Sequence, residues 1–192
     1  MELSSDYWET RYQENNTGWD LQKASKPLIA YFDQLSDKSM KILIPGGGYN
    51  YEAEYLFKKG FKNIYILDFA KTALDKFINR NPSFPSTQLL EKDFFDLEER
   101  FDLIVEQTFF CALDPTLREK YVEQMSSCLN INGKLVGLLF NRHFENGPPF
   151  GGSKKEYEAL FQKEFNILTL ESCYNSETPR QDAELFFRCI KL

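Results

Sequence analysis

The chain has 192 residues, 42% of them hydrophobic, and a formal charge of −6. That length suits one domain spanning 1–192 with a sizeable core, and an acidic balance without a basic stripe argues against nucleic acid as a partner. No apolar run nears the roughly 20 residues needed to cross a bilayer, and four scattered cysteines with one histidine give no zinc-binding pattern.

The opening Met1-Glu2-Leu3-Ser4-Ser5-Asp6 lacks the basic and apolar regions of a secretion signal. A cytoplasmic protein with reduced thiols, no metal and no membrane association is therefore expected. Ser4 or Ser5 is placed to cap a short helix through Tyr7, Trp8 and Tyr12. Asn15-Asn16-Thr17-Gly18 reads as a turn, with Trp19 just past it. Pro27 suits the first turn of a second helix through Leu28, Ile29, Tyr31, Phe32 and Leu35.

From residue 41 the pattern alternates. Strands are predicted over 41–45, 63–68, 87–91, 101–106 and 134–140, with helices over 51–59, 71–79 and 117–129. The acidic connection 95–100 has room for only a clipped helix. Ile42-Leu43-Ile44 and Leu103-Ile104-Val105 are apolar without alternation, as parallel strands buried on both faces should be. A helix over 154–165, a strand over 166–171, a polar loop over 174–181 and a strand over 183–190 complete the chain. Two last strands joined without a helix imply an antiparallel pair. The fold expected is a three-layer, doubly wound α/β domain whose seven-stranded sheet is mostly parallel, with an antiparallel C-terminal strand. That is the plan of the common class I methyltransferase fold, whose cofactor is S-adenosylmethionine.

In such sheets ligands bind at the carboxyl ends of the strands. The first strand runs into Gly46-Gly47-Gly48, where the missing Cβ atoms admit a ligand against the backbone. The second stops at Asp68, about 20 residues on, the spacing at which a carboxylate accepts from ribose hydroxyls. The third is followed by Asp93 and Phe94, suited to an adenine amino group and ring face, and the fourth by Glu106-Gln107-Thr108, expected beneath the sulfonium. Each has a plainer use. The glycines also make an ordinary turn, Asp68 also caps the next helix, Asp93 also reads as a surface acid, Phe94 as core, and Glu106 and Gln107 as solvated loop.

The segments from Trp8 to Trp19, Pro45 to Gly48 and Glu106 to Pro115, with Gly147-Pro148-Pro149-Phe150, resemble the thiopurine S-methyltransferase family, with the strongest likeness to its plant-type halide/thiol branch. Glu106-Gln107-Thr108-Phe109-Phe110-Cys111-Ala112-Leu113-Asp114-Pro115, with Arg118 behind it, is the most specific part. The resemblance implies an N-terminal helical lid, 1–40, over the cofactor. It also implies cofactor contacts at Trp8, Tyr12, Trp19, Gly46, Asp68, Asp93, Phe94 and Gln107. Tyr12 departs from relatives that carry Trp there, and Gln107 stands at a variable place. Ring faces attract a sulfonium cation; taken alone, Trp8 and Trp19 also read as core anchors.

The resulting expectation is direct, in-line methyl transfer to a small soft nucleophile: a thiol, a thiopurine-like compound, a halide or a chalcogen species. A thiolate or halide has no proton to lose, so no general base is required. Trp19, Arg118 and His143 are candidates to touch this small-molecule substrate, Arg142 shares the anion-attracting role with Arg118, and Cys111 reads as packing. The chain is expected to act as a monomer. A nicotinamide-dependent oxidoreductase would share the glycine turn and Asp68, but Asn50 and Tyr51 stand where Gly-x-Gly-x-x-Gly requires its last glycine. A catalytically silent cofactor-binding module is the remaining reading.

Overall fold

A computed structural model describes residues 3–192; Met1 and Glu2, where the expected absence of a secretion signal begins, lie outside the described residues. Two helices come first, α1 (Ser5–Gln13) and α2 (Lys26–Phe32). The body alternates β1 (Ile42–Pro45), α3 (Tyr51–Lys58), β2 (Ile64–Asp68), α4 (Lys71–Arg80), β3 (Leu89–Glu91), β4 (Phe101–Gln107), α5 (Arg118–Ser127) and β5 (Leu129–Phe140). It ends in α6 (Lys154–Phe161), β6 (Phe165–Ser172) and β7 (Glu184–Lys191).

The seven strands lie in the order β3-β2-β1-β4-β5-β7-β6. β1 to β5 pair in parallel, and β7 is antiparallel to both neighbours. This is the mostly parallel sheet with an antiparallel C-terminal strand that the pattern predicts. The non-alternating runs are explained by two cores. Leu43 and Ile104 face a cluster with Tyr121, Met125 and Phe161, while Ile42, Ile44 and Leu103 face another with Leu56 and Phe77. Neighbouring strand residues point to opposite faces, so a central strand covered by helices on both sides is apolar at every position.

The boundaries differ most at β5, α6 and α2. β5 begins at Leu129, five residues before the predicted start. Its pairing with β4 steps from Phe101↔Leu129 to Leu103↔Lys134, so Asn130-Ile131-Asn132-Gly133 forms a bulge with Asn132 at φ +64°. α6 stops at Phe161 because Phe165 opens β6 and packs back on Phe161 at 6.2 Å between centroids. α2 stops at Phe32, short of Leu35. The acidic connection after β3 holds a single 3-10 turn, Phe94–Asp96. Among the described residues no helix is long and apolar enough to cross a membrane, and no His, Cys, Asp and Glu cluster could hold a metal ion.

Candidate cofactor and substrate cavity

At the carboxyl ends of β1, β2 and β4 lies a cavity of about 750 Å³. Gly46 of the glycine turn lines it, and Gly47 and Gly48 line a smaller hollow next to it. Gly46 and Gly48 both sit at φ +55°, a conformation that side chains other than glycine rarely adopt. A Cβ on Gly46 would lie 2.2 Å from the Phe109 ring, and one on Gly48 would lie 2.6 Å from the Tyr12 hydroxyl. The backbone is thus bare where it meets the cavity.

Asp68 ends β2 and is 4% exposed. Its Oδ1 accepts from the Ala70 N–H at 2.9 Å and its Oδ2 from the Gly48 N–H at 3.1 Å. Loss of water outweighs these bonds and lifts its pKa to about 6. A carboxylate has about four lone-pair sites, so capping the backbone leaves acceptors for a diol. The capping and sugar-binding uses are compatible in one side chain.

The N-terminal segment is docked beside Asp68 by polar ties to α4. Glu9 accepts from the Thr72 N–H at 3.0 Å, and the Lys76 Nζ donates to the Tyr12 carbonyl at 2.9 Å. Trp8 meets Trp19 edge-on at 5.4 Å, and Tyr12 meets Trp19 at 5.7 Å. Tyr12 is buried, but both indoles are only half-buried and line the cavity with it. These rings pack with Ala70 and Ala73 in a small cluster apart from the two main cores. The Arg11 guanidinium lies 5.0 Å from the Trp19 ring centroid.

Asp93 and Phe94 border the same space. Asp93 is exposed and its Oδ1 accepts from the Phe95 N–H at 2.9 Å; Phe94 is buried edge-on to Phe109 at 5.2 Å. Phe94 therefore serves core and cavity together.

The end of β4 departs from expectation. Glu106 does not lie under the cavity: it is fully buried, and its Oε1 accepts from the Phe109 and Phe110 N–H groups at 2.9 and 3.0 Å. The Tyr121 hydroxyl donates to Oε2 at 2.5 Å, and burial raises the carboxyl to about 7. Glu106 is a core pin that turns the following loop, with Thr108 at φ +61°, so that Thr108 and Phe109 face the cavity. Gln107 faces a smaller hollow next to it. In the orientation its neighbours demand, its Nε2 donates to Glu52 Oε1 at 2.7 Å and its Oε1 accepts from Arg180 Nη1 at 3.1 Å.

Part of the lining is apolar, formed by Leu113, Phe140, Pro148, Pro149 and Pro179, with Arg142 among its neighbours, while Arg180 borders both the cavity and the hollow at the glycine turn. Cys111 also lines it, but burial pushes its thiol well up, and the Sγ donates to the Thr108 carbonyl at 3.3 Å. Arg118 and His143 do not line the cavity. Arg118 is buried, paired with Glu156, and its Nη2 donates to the Gly151 carbonyl at 2.7 Å, so it anchors the loop containing Gly147-Pro148-Pro149. His143 is exposed outside the wall that its neighbour Arg142 helps form.

The structure thus brings together Trp8, Tyr12, Trp19, Gly46, Asp68, Asp93 and Phe94, and leaves Gln107, Arg118 and His143 outside the main cavity. Sequence reasoning missed Phe109, Glu52 and Arg180. The only local signal for Arg180 is its place after Pro179, ahead of the last strand.

Comparison with known proteins follows the same lines. The family model for thiopurine S-methyltransferase matches residues 3–185. Probable thiol methyltransferase 2 of Arabidopsis thaliana is 33% identical over 166 residues, 83% of this chain and 73% of that one. Thiocyanate methyltransferase 1 of Brassica oleracea is 26% identical over 192 residues, covering 96% of this chain and 84% of the relative. Among solved structures, the Burkholderia thailandensis 1,6-didemethyltoxoflavin-N1-methyltransferase, crystallised with S-adenosylhomocysteine, superposes with a TM-score of 0.79 at 14% identity, covering 98% of this chain and 87% of that one. These likenesses give no support to a nicotinamide enzyme or a silent module.

Proposed function

The chain belongs to the thiopurine S-methyltransferase family and is an S-adenosylmethionine-dependent methyltransferase, and from that premise we propose that it methylates a small soft nucleophile by direct in-line transfer. The observation that carries this reading is the make-up of its cavity: bare glycine backbone and a buried carboxylate in one part of the lining, an apolar wall with Arg142 in another. The acceptor class is that of the relatives' names, thiols, thiocyanate and thiopurines, together with halides and chalcogen species.

The residues fit the cofactor by a physical test: Gly46, at φ +55° and with no room for a Cβ against Phe109, leaves bare backbone on the cavity wall. Asp68 would take the ribose hydroxyls, Asp93 and Phe94 the adenine, and Trp8, Tyr12 and Trp19 the sulfonium side, with the segment up to residue 40 acting as a lid. When bound, the cofactor supplies an electrophilic methyl group on a positively charged sulfur. The indole faces favour that charge, more so as water is excluded. The Arg142 guanidinium attracts an acceptor that is already an anion, and the apolar wall strips its water. Positioning and desolvation then supply much of the rate, and no side chain removes a proton.

The test is a panel of thiols, thiocyanate and halides incubated with methyl-labelled S-adenosylmethionine, with headspace and solution products analysed. Label is expected in S-methyl products of the thiols. Label on none of the panel overturns the acceptor class.

A further inference from the structure

One loop supplies much of the apolar lining. Residues 141–153 run from the end of β5 to the start of α6 without helix or strand, and Arg142, Phe144, Pro148 and Pro149 of this loop border the cavity. A loop of this length forms a fixed wall only if it is pinned. Among the described residues no hydrogen bond reaches 143–149. The tip is held by packing: Phe144 meets Phe140 edge-on at 5.2 Å, and the Arg142 guanidinium lies 4.8 Å from the Phe144 ring centroid. Its position over the cavity is therefore decided at its base.

At the base the returning chain lies against the outgoing one. The Gly152 N–H donates to the Arg142 carbonyl at 3.0 Å, and a Cβ on Gly151 would stand 1.7 Å from that carbonyl oxygen. The Phe150 N–H donates to the Cys111 carbonyl at 2.6 Å, which joins the base to the 3-10 turn Phe110–Ala112. Arg118, the first residue of α5, completes the base. Its Nη2 donates to the Gly151 carbonyl at 2.7 Å, its Nη1 pairs with Glu156 in the first turn of α6, and its Cζ lies 4.9 Å from the Phe110 ring centroid. The side chain is buried, and its Nε has no acceptor among the described residues. A buried ion pair is a weak source of stability, and apolar residues of like volume often replace one without loss. What an apolar side chain could not supply is a planar fork that holds Gly151 and Glu156 at once.

We propose that Arg118 is a positioning residue for the methyl acceptor. It fixes Gly151, Gly151 fixes the backbone of Arg142, and the Arg142 guanidinium meets the incoming anion. The inference rests on the reading of this part of the cavity as the acceptor site, and it names the residue that holds the wall of that site in place. Arg118 does not border the cavity, so it acts without touching acceptor or cofactor. Its loss lets the wall move away and weakens acceptor binding. Cofactor binding is spared, because the ties of Glu9, Lys76 and Asp68 are made to other parts of the chain.

The experiment uses the full chain, with thiocyanate and benzenethiol as probe acceptors and S-adenosylhomocysteine as the calorimetric ligand. Arg118→Met should raise the acceptor KM about tenfold, with kcat and S-adenosylhomocysteine affinity each within about twofold. A merely structural role would lower kcat through loss of folded enzyme and leave KM alone. Arg142→Met should raise KM by about the same factor, and the double variant no further than Arg142→Met, because Arg118 acts through Arg142. Arg118→Lys keeps the charge beside Glu156 but not the fork. It should raise KM about threefold, which keeps the test open if Arg118→Met folds poorly. Hydrogen exchange gives a reading that needs no acceptor: in Arg118→Met the Phe150 and Gly152 amides should exchange at least about tenfold faster, with those of β4 and β5 unchanged. An unchanged KM, effects that multiply in the double variant, or unchanged exchange at Phe150 and Gly152 overturns the assignment. A wild type that binds S-adenosylhomocysteine but methylates neither probe counts against the acceptor reading, and the exchange measurement then decides by itself whether Arg118 holds the loop.

Discussion

Two corners of this sheet are built alike and do different work. At the end of β2, Asp68 is buried and accepts from backbone N–H groups of the turn beside it; at the end of β4, Glu106 does the same. Burial raises both, Asp68 to about 6 and Glu106 to about 7. The difference is the last partner. The second oxygen of Glu106 is closed off by the Tyr121 hydroxyl inside the core, whereas Asp68 borders the cavity with lone pairs unused. A strand-end carboxylate is thus a loop-folding device by default, and becomes a binding group only where its last acceptor sites are left open.

The sharpest way to test that contrast is to remove the sealed carboxylate. Glu106→Ala strands the Tyr121 hydroxyl and two backbone N–H groups in the core, each unsatisfied group costing about 1–3 kcal/mol. A stability loss of about 3–5 kcal/mol is expected, read from urea unfolding. A loss below about 1 kcal/mol would mean that the loop after β4 holds its shape without Glu106. The corresponding change at the open corner should act on binding. Asp68→Asn keeps the shape but has one acceptor oxygen where the carboxylate uses two, for the Ala70 and Gly48 N–H groups, and it loses the charge that strengthens bonds to hydroxyls. Affinity for S-adenosylhomocysteine should fall roughly tenfold to a hundredfold (about 1.4–3 kcal/mol), with a stability loss of about 1–3 kcal/mol from the one backbone N–H left without an acceptor. Unchanged affinity by calorimetry would remove Asp68 from the site.

The same corner sets a pH dependence with a definite sign. The Asp68 pKa is raised from 3.8 to about 6, so the folded chain without ligand holds this proton more tightly than the unfolded chain. Its contribution to stability is fully present below pH 3.8 and is lost as pH rises through about 6. With Asp68 in its proposed role toward the ribose hydroxyls, ligand binding runs the other way, because that role needs the carboxylate. S-adenosylhomocysteine affinity should be flat above pH 7 and fall toward tenfold per unit below about 6. Calorimetry from pH 5 to 8 checks it; in Asp68→Asn the slope should vanish.

The open corner was legible in the sequence because one βαβ unit brings it together. Gly46 and Asp68 are set by the length of a strand, a helix and a second strand, and that spacing survives folding. The second-row groups were not legible. Arg180 meets Trp19 across 161 residues of chain, through the antiparallel return of β7, and no local pattern marks such a contact. Glu106 was placed under the cavity on position alone; its direction is set by Tyr121, which α5 contributes. The early start of β5 was hidden because Asn-Ile-Asn-Gly reads as a turn, and here the bulge makes that turn part of the strand.

The smallest expected effect concerns the residue that most invites an acid–base role. His143 is the one histidine of the chain, yet it is exposed and does not border the cavity. Glu106, the carboxyl raised closest to neutrality, is walled off by three donors. Asp114 does line the cavity, but the Thr116 hydroxyl and N–H hold it below the usual carboxylate range, which makes it a poor proton acceptor. Neither corner and no imidazole then stands ready to deprotonate a substrate, which is consistent with an acceptor that arrives as an anion. His143→Ala should leave thiol methylation within about twofold at saturating cofactor. A loss of about a hundredfold, the usual mark of a missing general base, would require His143 to swing into the cavity and would replace direct transfer to a thiolate by base-assisted attack of a thiol.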